Sequence, residues 1–391
     1  MVNDFLLARI PEIYFGAGKF RLLPSLAGRY GKDILIITGA RSFPESPHYE
    51  KLKRELEARS IRHSLVKISG EPSPLLIDGI VDEYLLKDID LVIAIGGGSV
   101  LDTGKAVSAM LTQDGFVQEF LEGVGTGRIH SGRKLPFIAV PTTAGTGSET
   151  TKNAVLSNVA LDGFKKSLRH ESFVPDIALI DPELTLTCPA EITAACGMDA
   201  FTQLLESYVS ENSSAMTDTL CLNGLKHIST GLIKVVQDPG NLQARSDLSY
   251  AAMISGITLA NAGLGTVHGF ASTIGGHFDI PHGVICGTLV GAVTRANIET
   301  LLKKAPDHPS LIKYAEVGKI FSRRHGPNIK SQCLELIKII DIWIDVLKIH
   351  SLGSYGIQPA DFKKIAAETS QKHNPVKLEE EVLMNILKER I

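Results

Sequence analysis

Short apolar runs, each closed by glycine or proline, alternate with amphipathic stretches through the first half of the chain. Ile34-Leu35-Ile36-Ile37, between Asp33 and Thr38, is continuous rather than alternating, which predicts a strand covered on both faces. Gly39 closes it. A helical stretch at Tyr49–Ser60 and a second strand at His63–Ile68 follow. Ser73-Pro74 predicts the next helix start, with Ser73 as N-cap and Pro74 at the first helical position. A third strand, Leu91–Ile95, runs straight into Gly96-Gly97-Gly98-Ser99. A helix from Val100 to Leu111 comes next, and then a further strand, Phe137–Val140, that ends at Pro141. Strands alternating with helices imply a largely parallel sheet with helices on both faces. Ligands of such sheets sit beyond the carboxyl ends of the strands, where both hydroxyl- and glycine-rich segments fall.

After Asp181-Pro182 the pattern changes. From Pro189 onward the periodicity is helical throughout, in stretches such as Ala200–Val209, Ser214–Ile233 and Leu242–Leu259. The expected organisation is an α/β domain over residues 1–186 and an all-helical domain over residues 187–391. A chain of 391 residues is too long for one core.

Composition narrows the partners. With 21% charged residues and a net charge of −3 there is no basic excess to suggest nucleic acid or an anionic membrane surface. No window approaches the ~18 consecutive apolar residues of a membrane span, and Met1-Val2-Asn3-Asp4 lacks the regions of a signal peptide. Cys188, Cys196, Cys221, Cys286 and Cys333 have no paired spacing. They read as reduced thiols of a cytoplasmic protein.

Three constellations carry chemistry. In Gly96-Gly97-Gly98-Ser99-Val100-Leu101-Asp102, glycines between strand and helix let backbone approach a pyrophosphate, which the helix N–H groups then bind. The plain alternative is a tight turn. Thr142, Thr143, Thr146 and Ser148 offer hydroxyls at the end of the next strand, although Ser148 and Glu149 also suit a helix N-terminus. The third constellation belongs to the helical half. Asp199 and Gln203 stand four apart on one helix face. His268 follows Gly263-Leu264-Gly265, and His282 lies between Pro281 and Gly283. A carboxylate with two imidazoles suits Fe, Zn or Co. His277, between them, either faces the same site or is a surface residue.

In combination these segments resemble the iron-containing (group III) alcohol dehydrogenases along nearly the whole chain. Ile13-Tyr14-Phe15-Gly16-Ala17-Gly18, Pro141–Glu149, Asp181–Thr185, Gly197–Ser210 and Ala262–Gly283 share in the match. The resemblance implies a dehydroquinate synthase-like fold, with a dinucleotide-binding α/β domain followed by a helical metal-binding domain. It also implies a homodimer. The activity implied is hydride transfer between NADP or NAD and an alcohol or aldehyde carbon polarised by a divalent metal, Fe or Zn. The implied cofactor residues are Gly39, Arg41, Ser42, Gly96, Gly97, Gly98, Ser99, Asp102, Thr142, Thr143, Thr146, Ser148 and Lys166. The family's metal is held by an Asp, a His four residues later and two further His, which correspond to Asp199, Gln203, His268 and His282.

Two positions depart from that pattern. Gln203 puts a neutral amide where the family has imidazole, so affinity for Fe or Zn should fall. Three ligands remain, the number usual in catalytic zinc sites. Ser272 stands where many members carry a histidine. The same superfamily contains metal-free maleylacetate reductases, and Gly275–His282 resembles theirs. In that version His268, His282 or His277 polarises the carbonyl by hydrogen bonding. At the end of the first strand NAD-preferring members usually place an acid, whereas this chain has Gly39-Ala40-Arg41-Ser42. Arg41 and Ser42 could bind a 2′-phosphate, which favours NADP(H). A sugar-phosphate cyclase of the same fold would need a Lys, Arg and Asn cluster that the sequence near Asp199 lacks. A non-catalytic nucleotide-binding protein would keep the loops and lose the metal set.

Overall fold

The computed structural model describes residues 4–160, 163–323 and 326–391. It divides into two compact units. One comprises residues 8–158 and 163–188; the other is residues 189–391, joined by 4–7 and 159–160. The division falls between Cys188 and Pro189.

Burial of whole strands sets the architecture of the first unit. Six strands form one sheet: β1 (Glu12–Phe15), β2 (Asp33–Gly39), β3 (Arg62–Ile68), β4 (Leu91–Gly96), β5 (Phe137–Pro141) and β8 (Ile177–Ile180). Their order is β1-β8-β5-β4-β2-β3, and every neighbouring pair is parallel. Alternate side chains enter two separate cores. Ile34, Ile36, Ile93, Ile95, Ile138 and Val140 pack against α1 (Leu23–Ala27) and α2 (Pro47–Glu57). Leu35, Ile37, Val92, Ala94, Phe137 and Ala139 pack against α3 (Pro74–Tyr84) and α4 (Gly98–Met110). This is why the strands read as unbroken apolar runs. Ser73 caps α3 as expected, its hydroxyl accepting from the Leu76 N–H at 3.2 Å.

An antiparallel hairpin, β6 (Asn153–Asn158) with β7 (Phe164–Arg169), was not expected from the sequence, and neither were strands at β1 and β8. Phe-Lys-Lys-Ser-Leu-Arg has no continuous apolar run to mark a strand. It becomes a strand because Leu168, with Ala154 and Leu156 across the hairpin, buries itself in the α3–α4 core. β1 and β8 are four residues each, too short for periodicity to reveal.

The second unit is built of α5 (Ala190–Val209), α6 (Ala215–Gln237), α7 (Leu242–Ala262), α8 (Thr266–His277), α9 (His282–Lys304), α10 (Pro309–Ser322), α11 (Ile329–Val346), α12 (Phe362–Glu368) and α13 (Glu380–Glu389). α5 lies at its centre, packed on α6, α7 and α9. It starts at Ala190, earlier than the expected Ala200. Gly197 hid the beginning, since glycine ordinarily weakens a helix prediction. Here it permits close packing: a Cβ at Gly197 would lie 2.2 Å from Leu232 Cδ1 of α6. Among the described residues no single helix is long and apolar enough to cross a membrane.

Candidate metal centre and nucleotide-binding loops

Three loops leave the carboxyl edge of neighbouring strands: Gly39–Ser42 after β2, Gly96–Ser99 after β4, and Thr142–Ser148 after β5. The chain runs from β2 outward to β3, then crosses back to β4 on the other side of β2. This reversal creates the crevice where α/β sheets bind ligands. α4 begins immediately after β4, with Gly97 as N-cap and no side chain capping it. Its first N–H groups and the positive end of its dipole are thus available to an anion. The threonine loop lies directly against these glycines. A Cβ on Gly97 would fall 3.2 Å from Thr143 Oγ1, and one on Gly98 would fall 2.9 Å from Thr146 Oγ1. Thr142 is half-buried beside them, and Arg41 and Ser42 are exposed.

Asp102 and Ser148 are bonded to each other. The Ser148 hydroxyl donates to Asp102 Oδ1 at 2.5 Å, and the Val155 N–H donates to Asp102 Oδ2 at 3.1 Å. Lys105, fully buried, donates to the Ser148 carbonyl, Ser148 Oγ, Thr151 Oγ1 and the Asn153 carbonyl at 2.6–3.1 Å. This network ties the loop after β5 to α4. Burial lowers the Lys105 pKa to about 8 and raises the neighbouring Glu149 to about 7. Lys166 is exposed on β7, whereas the adjacent Lys165 is buried and pairs with Glu71.

In the helical unit, Asp199, His268, His282 and Cys286 present ligand atoms that all lie within 4.8 Å of one another. Each element contributes for a local reason. Asp199 is on the buried face of α5 and is 1% exposed. His282 opens α9, whose first turn can touch α5 because Gly283 has no side chain: a Cβ there would lie 2.4 Å from the Ala195 carbonyl. Cys286 follows one turn later on the same face. His268 lies in the first turn of α8. Its Nε2 is 3.3 Å from Asp199 Oδ1, and His282 Nε2 is 3.8 Å from the same oxygen.

Behind His268 stands Glu206, one turn beyond Gln203 on α5. Its carboxylate accepts from the Val267 N–H at 2.7 Å and the His268 N–H at 3.4 Å. It also lies 2.7 Å from His268 Nδ1. A carboxylate can only accept, so Nδ1 carries the proton and Nε2 is directed at the donor group. The same carboxylate favours the N-terminus of α8 through the helix dipole. Burial opposes ionisation of Asp199, but His282 and His268 hold its carboxyl below the usual range. Burial likewise opposes an imidazolium at His268, yet hydrogen bonds to Asp199 and Glu206 help raise it well above the ordinary histidine value. Burial pushes the Cys286 thiol up to about 12; a coordinated divalent cation ionises a thiol outright.

Gln203 is 3% exposed, and its amide oxygen accepts from the Ser255 hydroxyl at 2.7 Å. His277 ends α8 with Nε2 at 2.9 Å from Glu368 Oε2, outside the group of four. Sequence reasoning missed Glu206 and Cys286. Spacing carried the signal for both, because Glu206 is seven residues from Asp199 and Cys286 four from His282.

A switch-point crevice in one unit and a buried carboxylate–imidazole donor set in the other define a metal-assisted, dinucleotide-using type of enzyme. Comparison with known proteins makes this specific. Residues 11–182 match the family described as iron-containing alcohol dehydrogenase, and residues 193–391 match the C-terminal part of the Fe-containing alcohol dehydrogenase family. The chain belongs to the iron-containing alcohol dehydrogenase family, and it is an oxidoreductase acting on CH–OH donors. It is 41% identical over 283 residues to long-chain-alcohol dehydrogenase 1 of Geobacillus thermodenitrificans, covering 72% of this chain and 69% of the relative. The NAD-dependent methanol dehydrogenase of Bacillus methanolicus is 33% identical over 287 residues, 73% of each chain. The solved alcohol dehydrogenase from Oenococcus oeni superimposes with a TM-score of 0.87 at 30% identity, covering 99% of this chain and 100% of that one.

Proposed function

We propose that the chain oxidises alcohols, and reduces the corresponding aldehydes, with NADP(H) or NAD(H) and a divalent metal held by Asp199, His268 and His282. The convergence of these side chains, with His268 clamped by Glu206, carries the reading. The donor set fits such an ion: one anionic oxygen and two neutral nitrogens, with the second nitrogen of His268 already engaged behind it. When bound, the metal supplies Lewis-acid polarisation of the substrate oxygen. Asp199 contributes the negative charge that holds a divalent cation in a buried place. Glu206 keeps His268 in the tautomer whose Nε2 can donate. In the other unit, the N-terminus of α4 and the threonines 142, 143 and 146 bind the pyrophosphate and so orient the nicotinamide. A bound nicotinamide would supply the hydride acceptor for alcohol oxidation and, reduced, the hydride donor for aldehyde reduction, with the hydroxyl proton lost to or taken from solvent. No acid stands at Gly39–Ser42 to repel a 2′-phosphate, and the exposed Arg41 guanidinium attracts one, so NADP(H) is accepted.

Asp199→Ala tests the reading. Metal content and alcohol turnover should fall beyond the about 10–100-fold typical of losing a contact behind a ligand. NADPH affinity should be unchanged, because Asp199 and the glycine loop belong to different compact units. A variant that keeps both its metal and its turnover would sink the assignment.

A further inference from the structure

The donor set of this chain contains an amide where a strong ligand is expected and a thiol where none was foreseen. Gln203 can bind a metal only through its amide oxygen, a neutral hard donor, which lies 2.7 Å from the Ser255 hydroxyl of α7. Cys286 Sγ, in contrast, lies 3.7 Å from His268 Nε2 and 3.7 Å from His282 Nε2. With metal–nitrogen bonds of about 2.0–2.1 Å and a metal–sulfur bond of about 2.3 Å, neighbouring donors of a tetrahedral site are about 3.3–3.6 Å apart. The two sulfur–nitrogen separations are close to that edge length. So are the 3.3 and 3.8 Å separations from Asp199 Oδ1 to the same nitrogens. The remaining pairs fall within the 4.8 Å that encloses all four atoms.

We propose that Cys286, rather than Gln203, is the fourth ligand of the metal, completing an Asp199–His268–His282–Cys286 site. The proposal rests on the metal reading given above. It follows that the site prefers zinc to ferrous iron, because a thiolate is a soft ligand and an amide oxygen a hard one. Gln203 then acts as a packing residue that bridges α5 to Ser255 of α7.

Cobalt substitution tests this without relying on turnover. The full-length protein is stripped with a chelator and titrated with Co(II), and absorption is recorded. The expected result is one bound cobalt with tetrahedral visible bands and a near-ultraviolet thiolate-to-cobalt charge-transfer band. Cys286→Ser should lose the charge-transfer band and weaken zinc binding by more than about 100-fold in a competition titration. Gln203→Ala should keep the band. Stoichiometric cobalt without a thiolate band in the parent protein overturns the Cys286 assignment and leaves the three-ligand reading standing. A band that survives in Cys286→Ser does the same, by placing the thiolate on another cysteine. If the parent binds neither cobalt nor zinc, both proposals fall. If Cys286→Ser does not fold, the absence of a thiolate band in the parent still overturns the assignment, and Cys286→Ala takes the place of the serine variant.

Discussion

Glu206 shows how much chemistry one buried carboxylate can organise. It sits on α5, accepts two backbone N–H groups at the start of α8, and holds the Nδ1 side of His268. Such supporting contacts set ligand orientation and basicity. Glu206→Ala should therefore lower zinc affinity by about 10–100-fold, while Glu206→Gln, which keeps an acceptor, should lose less. Competition with a chromophoric chelator measures both. Equal affinity in all three proteins would mean that Glu206 only caps the helix. At this scale the sequence was partly legible. Asp199, His268 and His282 could be read because their types and backbone settings are distinctive. Glu206 and Cys286 were passed over because a carboxylate and a thiol inside a helix look ordinary until a neighbouring helix gives them a partner.

Single elements place these groups. The β4–α4 junction is the clearest case, since a buried strand ends in glycines and a helix begins with no capping side chain. Gly97→Val should weaken NADPH binding at least about tenfold, equivalent to about 1.4 kcal/mol. A β-branched side chain would crowd Thr143 and occupy the anion's place. Fluorescence titration reads the affinity directly; a folded variant that binds normally would reduce the loop to a turn. Strands β2 to β5 and the Ser73 cap were readable because their signals are local. The β6–β7 hairpin was not, since its polar sequence becomes a strand only through the core on which it packs.

For the whole molecule, the buried Lys105–Glu149 region links folding to pH. Burial raises the Glu149 carboxyl from 4.5 to about 7. The folded state therefore binds more protons than the unfolded state between those values. The resulting stabilisation is complete below about 4.5 and lost as pH rises through about 7. A shift of that size corresponds to roughly 3–4 kcal/mol at most. Glu149→Gln, which cannot ionise, should gain stability relative to the parent as pH rises from 4.5 to 7.5, seen in the urea midpoint of unfolding. A difference between the two proteins that does not change with pH would show that Glu149 ionises freely.

Sequence alone determined that this chain makes a parallel α/β unit and a helical unit, because strand burial and helix periodicity are written in neighbouring residues. It also named the glycine loops and three of the four side chains, Asp199, His268 and His282, that the structure brings together. The tertiary structure decided which side chains meet. Asp199, His268, His282 and Cys286 come from three helices, and they meet because α8 and α9 close on α5 at contacts that no local pattern records. It likewise decided that Asp102 and Ser148 bond to each other, and that Gln203 bonds to Ser255. A hydrogen bond between residues distant in the chain is a property of packing, and the sequence names the groups without saying which of them will touch.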